Sequence, residues 1–109
     1  MGHVLELGSI GAVHEFVQNH RLSILYVTQE DCSVCHAIYP KLLKLTDEFP
    51  EAKLGRVDAG KVKEVAGEFL IFSAPAILVF LDGKEYIREG RFVQFDGLAS
   101  RLELLSSTE

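Results

Sequence analysis

Tryptophan is missing from this sequence altogether, cysteine occurs only twice and proline only three times. Two cysteines make no disulfide scaffold, so a hydrophobic core has to hold the 109 residues together. The apolar share of 48% can supply one, at the usual length of a single domain. No linker, repeat or low-complexity segment breaks the chain, and residues 1–109 read as one α/β unit. Positive charge is also scarce: 11 Lys and Arg against 16 Asp and Glu leave a net charge of −5. Nucleic-acid surfaces usually carry a basic stripe, so no nucleic-acid partner is expected, and the acidic excess serves mainly solubility. No apolar run approaches the roughly 20 residues that span a bilayer. Met1-Gly2-His3-Val4 lacks the basic and apolar regions of a secretory signal. The expectation is a cytoplasmic protein without a membrane partner, whose cysteines work in a reducing compartment.

What is present centres on Asp31-Cys32-Ser33-Val34-Cys35-His36, which holds both cysteines. An apolar run (Ile24, Leu25, Tyr26, Val27) precedes it and a helical pattern (Ile38, Leu42, Leu45, Phe49) follows. A strand then delivers the chain to Cys32, and a helix starts there. Free N–H groups and the macrodipole at a helix N-terminus favour an anion, and a thiolate is one. Its pKa falls there and in a C-x-x-C pair, and the thiolate is the nucleophile. Cys35, one turn along, can attack a mixed disulfide on Cys32. Other readings compete. Two cysteines can simply fill core volume. Cys32-x-x-Cys35-His36 also matches c-type haem attachment, which wants an export route and a second axial ligand. His3, His14, His20 and His36 show no zinc-finger spacing with the cysteines, so neither a metal nor a bound cofactor is expected.

The rest of the chain alternates strands and helices. Val4–Leu7 reads as a short strand. Ser9 is a good N-cap for a helix with Ile10, Val13, Phe16 and Val17 on one face, ending near His20; His14 and His20 read as solvated. Leu22–Thr28 suits a strand covered on both faces. A helix from Ser33 to Phe49 has its apolar stripe at Ala37, Ile38, Leu42, Leu45 and Phe49, with a kink expected at Pro40. Lys53–Asp58 is the next strand and Lys61–Phe69 the next helix. Ala76–Leu81 and Lys84–Gly90 are strands joined by an Asp82-Gly83 hairpin turn. Phe95, Leu98, Leu102 and Leu105 mark a last helix, and residues 106–109 should fray. The order β-α-β-α-β-α-β-β-α predicts a mixed sheet.

Five features together resemble the thioredoxin family over nearly the whole chain. They are the Cys32–Cys35 pair, Pro40 in the following helix, Val57-Asp58 closing the third strand, Ala74-Pro75 before the fourth, and Asp82-Gly83 followed by Gly90. The resemblance implies a thioredoxin-like fold, a mixed central sheet flanked by helices on both faces. It implies Cys32 as the exposed nucleophile and Cys35 as the buried resolving thiol. It makes Pro75 a cis-proline against the cysteine pair, with the Ala74 backbone pairing to an extended substrate and Gly90 keeping the groove open.

This chain also departs from the family's best-known members. They carry Trp where Asp31 stands, and Gly-Pro where Ser33-Val34 stand. They bury an acid where Tyr26 stands, with a lysine where Leu54 stands. That acid helps take the proton from the resolving thiol. Tyr26 is a poor substitute, which leaves Glu30 and His36 as candidates for tuning the thiols. Asp31 puts a like charge beside Cys32 and opposes its thiolate. A less stable thiolate means a more reducing pair. The expected activity is thiol–disulfide exchange that reduces protein disulfides with electrons from an external donor. The alternative is a protein-binding module on the same fold whose cysteines sense redox state or do not cycle.

Overall fold

The fold is described from a computed structural model, which defines residues 4–107. The first strand, β1 (Val4–Glu6), leads to helix α1 (Ile10–Asn19). Ser9 caps α1, its hydroxyl accepting the Ala12 N–H at 3.0 Å. Then come β2 (Leu22–Thr28), α2 (Ser33–Asp47), β3 (Ala52–Asp58) and α3 (Glu64–Glu68). The chain closes with β4 (Ala76–Leu81), β5 (Lys84–Glu89) and α4 (Phe95–Ser106). Among the described residues the five strands form one sheet in the order β1-β3-β2-β4-β5. β3 runs parallel to β1 and β2, while β4 is antiparallel to β2 and β5. The expected mixed sheet is therefore present.

Side chains alternate across a strand, and β2 shows what that does here. Leu22, Ile24 and Tyr26 join one core cluster with α2 and α4, while Leu25 and Val27 join a second with α1 and α3. Every residue from Leu22 to Val27 is buried, as befits a central strand covered on both faces. Asp82 and Gly83 both take positive φ, 53° and 83°, which is what a two-residue hairpin turn requires.

Several boundaries differ from expectation. α3 is confined to Glu64–Glu68 because Asp58 draws the preceding residues into a turn. The Asp58 carbonyl accepts the Lys61 and Val62 N–H groups, and its carboxylate takes the Gly60 N–H at 2.8 Å. α2 stops at Asp47, where the Glu48 and Phe49 N–H groups bond three residues back and tighten its end. It passes Pro40 as one helix. Ala37 is exposed, since the buried stripe follows Cys35, Ile38, Leu42 and Leu45. Ser106 is still helical and Ser107 bonds back to Glu103. His3, Thr108 and Glu109 lie outside the described residues. His14 and His20 are engaged: His14 meets Glu68 at 2.8 Å, and His20 Nδ1 lies 2.9 Å from the Phe16 carbonyl oxygen.

Candidate active site

The parallel strands β2 and β3 end on the same side of the sheet, and α2 begins there. Cys32 occupies the N-cap of α2 in extended conformation, and its sulfur accepts the Cys35 N–H at 3.1 Å. This N–H is one of the donors a helix leaves unpaired at its start. In the reduced protein it would favour a thiolate on Cys32. Cys32 is half-buried, whereas Cys35 is 1% exposed and packs in the α2–α4 core cluster. The two are joined as a disulfide in this structure.

The second component comes from the segment that leads into β4, the antiparallel neighbour of β2. The Ala74–Pro75 peptide bond is cis, and the Ala74 carbonyl oxygen lies 3.9 Å from Cys32 Sγ. A disulfide sulfur has no proton to give, so this is a contact of the oxidised form. Gly90 follows β5 beside Pro75, and a Cβ there would sit 3.7 Å from the Pro75 carbonyl oxygen, an ordinary contact. The fold thus gathers Cys32, Ala74, Pro75 and Gly90, which are far apart in sequence.

Sequence reasoning missed what holds this segment. Arg88 on β5 donates to the Phe69 carbonyl at 2.7 Å and the Leu70 carbonyl at 3.0 Å, while Glu85 grips the same guanidinium. Leu70 adopts a left-handed φ of 54°, and the Ile71 N–H returns to the Ala66 carbonyl at 2.8 Å. These bonds set the course of the chain from α3 to Pro75. Phe72 and Phe92 flank Pro75 and Gly90 in sequence and are 96% and 84% exposed. No spacing rule pairs Arg88 with residues 18 and 19 positions earlier, so the clamp was not readable from sequence.

Behind Cys35 stands Tyr26. Its buried hydroxyl donates to the Cys35 carbonyl oxygen at 2.5 Å. Burial pushes the phenol up to about 12, against a smaller downward pull from the Arg56 charge. Tyr39 stacks on Tyr26 with ring centres 5.7 Å apart and planes within 8°. The Arg56 guanidinium lies 4.5 Å above the Tyr39 ring and pairs with Glu6 at 2.7 Å. Its bond to Glu6 raises the Arg56 pKa above the ordinary value. Tyr26 and Arg56 are direct partners across the β2–β3 ladder, a register no local pattern reveals.

A cleft of about 430 Å³ opens beside this column at the ends of β1, β2 and β3. Cys35 and His36 both line it, as do Glu30 and Asp58. His36 Nε2 lies 2.9 Å from the Glu30 carbonyl oxygen, so Glu30 meets His36 through its backbone. Asp31 is exposed next to Cys32. Among the described residues no three His, Cys, Asp or Glu side chains converge as metal ligands do, and no helix is long and apolar enough to cross a membrane.

A cysteine pair at a helix N-terminus, one residue half-buried and the other buried, facing a cis X-Pro backbone, defines a dithiol–disulfide exchange domain. Comparison with known proteins makes this specific. The thioredoxin family profile matches residues 11–103, and the chain belongs to that family. Its members are thiol–disulfide oxidoreductases, and both the fold and the activity expected from the sequence are borne out. The thioredoxin-like protein YdfQ of Bacillus subtilis is 41% identical over 103 residues, which cover 94% of this chain and 92% of that protein. A mutant thioredoxin of Halobacterium salinarum superposes with a TM-score of 0.87, covering 98% of this chain and 94% of the other at 14% identity. Thioredoxin of Trypanosoma brucei brucei gives a TM-score of 0.86 over 97% of this chain and 93% of the other, at 20% identity. At such identities these two likenesses speak to the fold alone.

Proposed function

We propose that this protein reduces protein disulfides in the cytoplasm, with Cys32 attacking and Cys35 resolving. The observation that carries the reading is the asymmetry of the pair. Cys32 is half-buried at the α2 N-cap, while Cys35 lies behind it at 1% exposure. In the forward reaction the Cys32 thiolate attacks a substrate disulfide. A Cys32–substrate bond forms and one substrate thiolate leaves. Cys35 then attacks Cys32, forming the intramolecular disulfide and releasing the second substrate thiolate. The substrate gains two electrons and two protons, and an external dithiol or reductase returns the pair to its reduced form. The substrate strand would lie along the Ala74 backbone, between Pro75 and Gly90.

The test is to equilibrate the pair against a glutathione series and read its state by thiol alkylation and mass. The expected result is one two-electron transition at or below the glutaredoxin range of about −200 to −230 mV. Reduction of insulin disulfides should then require Cys32 and stop in Cys32→Ser. If no Cys32–Cys35 disulfide forms under oxidising conditions, the redox cycle fails. The fold would then serve as a binding module.

A further inference from the structure

Resolution has a requirement that the thiols alone do not meet. Cys35 must lose its proton before it can attack, because only the thiolate is nucleophilic. At 1% exposure it cannot simply pass that proton to bulk water. Tyr26, directly behind it, is not the acceptor. Its hydroxyl already donates to the Cys35 carbonyl at 2.5 Å, and burial strengthens its hold on the proton.

The remaining ionisable groups stand around the cleft that Cys35 lines. On its β1 and β3 wall, Glu6 and Arg56 pair at 2.7 Å, with Arg56 over Tyr39. Asp58 is engaged by the Gly60 N–H, and Lys61 adds a cation rather than a base. Glu30 lines the loop side and Asp31 stands next to it. Carboxylates as a class are weak bases toward a thiol, and proton transfer is most efficient when the acceptor titrates near the working pH. Imidazole does so.

His36 is the imidazole on this cleft. Its Nε2 is 2.9 Å from the Glu30 carbonyl oxygen, and a carbonyl can only accept. Nε2 therefore carries the hydrogen, and the neutral ring keeps its lone pair on Nδ1. The loop before α2 thus holds one tautomer of a base on the residue that follows Cys35.

We propose that His36 accepts the Cys35 proton during resolution, through solvent in the shared cleft, in place of the acid that other family members bury where Tyr26 stands. The proton moves from Cys35 to His36, the Cys35 thiolate attacks Cys32, and the Cys32–substrate bond breaks. The imidazolium then returns its proton through solvent to the departing thiolate. This rests on the oxidoreductase reading above.

The experiment is stopped-flow reaction of the reduced protein with dithionitrobenzoate between pH 5 and 9. The first thionitrobenzoate released reports Cys32 attack, and the second reports resolution by Cys35. His36→Gln, on an exposed helix position, should slow the second phase by at least about tenfold at neutral pH and leave the first unchanged. One ionisation should vanish from the pH profile of that second phase. Imidazole in solution should restore the second phase in His36→Ala. A second phase in His36→Gln with the wild-type rate and profile overturns the proposal. So does loss of the ionisation in Asp58→Asn while His36→Gln keeps it. A first phase with no second phase in the wild-type protein would instead overturn the oxidoreductase reading itself.

Discussion

A phenol and a carboxylic acid hold their protons against very different pH. Tyr26 is buried against Cys35, and desolvation disfavours its phenolate, which raises the folded pKa from an ordinary 10 to about 12. Between those values the unfolded chain gives up the proton and the folded chain keeps it. The stability linked to this group is therefore complete below about pH 10 and is lost as pH rises toward 12. Each pH unit between the two values corresponds to about 1.4 kcal/mol, so a loss of about 2–3 kcal/mol across that window is expected. Urea unfolding of wild type and Tyr26→Phe at pH 9 to 12 checks it. Wild type should lose stability relative to Tyr26→Phe as pH rises; a constant difference would refute the assignment. The same chemistry is the reason the sequence gives for reading Tyr26 as a poor base. Its bond to the Cys35 carbonyl was not legible, because it depends on how close α2 lies to β2.

At the scale of elements, the passage from α3 to β4 governs the site. Leu70 takes the left-handed conformation that closes the helix and is 67% exposed. A leucine pays about 1–2 kcal/mol for that backbone geometry, and glycine does not. Little apolar burial is lost with its side chain. Leu70→Gly should therefore stabilise the protein by up to about 1 kcal/mol, read as a higher urea midpoint at unchanged slope. A lower midpoint would show that the side chain contributes contacts that outweigh the strain. The helical pattern of Val62, Val65 and Phe69 was readable, but the Asp58 turn that shortens α3 was not. An Asp whose carboxylate and carbonyl together capture nearby N–H groups competes with helix formation without altering apolar periodicity.

The whole molecule depends on how closely α1 and the strand edge approach the sheet. A Cβ on Gly55 would fall 2.8 Å from Leu7 Cδ1 and 2.9 Å from Phe16 Cε2 and Cζ. Gly55 lies in β3 between β1 and β2, so neither neighbouring strand can move aside independently. Gly55→Ala should cost about 1–3 kcal/mol by overpacking. Phe16→Leu in the same chain should recover part of that cost, because residues in contact are not additive. Denaturant unfolding of the single and double variants measures both effects. A Gly55→Ala protein as stable as wild type would refute the close packing of Leu7 and Phe16 on β3.

Local patterns in the sequence determined the order of strands and helices, the hairpin at Asp82-Gly83, and the Cys32–Cys35 pair at a strand-to-helix junction. Each depends on neighbours within a few positions: alternation in β2, 3–4 spacing in the helices, and turn chemistry at Asp-Gly. The likeness to thioredoxins rested on the same short motifs, which is why it survived substitutions at Asp31, Tyr26 and Ser33-Val34. Tertiary structure alone decided the Arg88 clamp on Phe69 and Leu70, the Glu6–Arg56–Tyr39–Tyr26 column, the contact of Ala74 with Cys32 and the cleft shared by Cys35 and His36. Those arrangements join residues from different elements. Their distances are set by strand register and by how closely helices pack on the sheet, neither of which leaves a periodic mark in the chain.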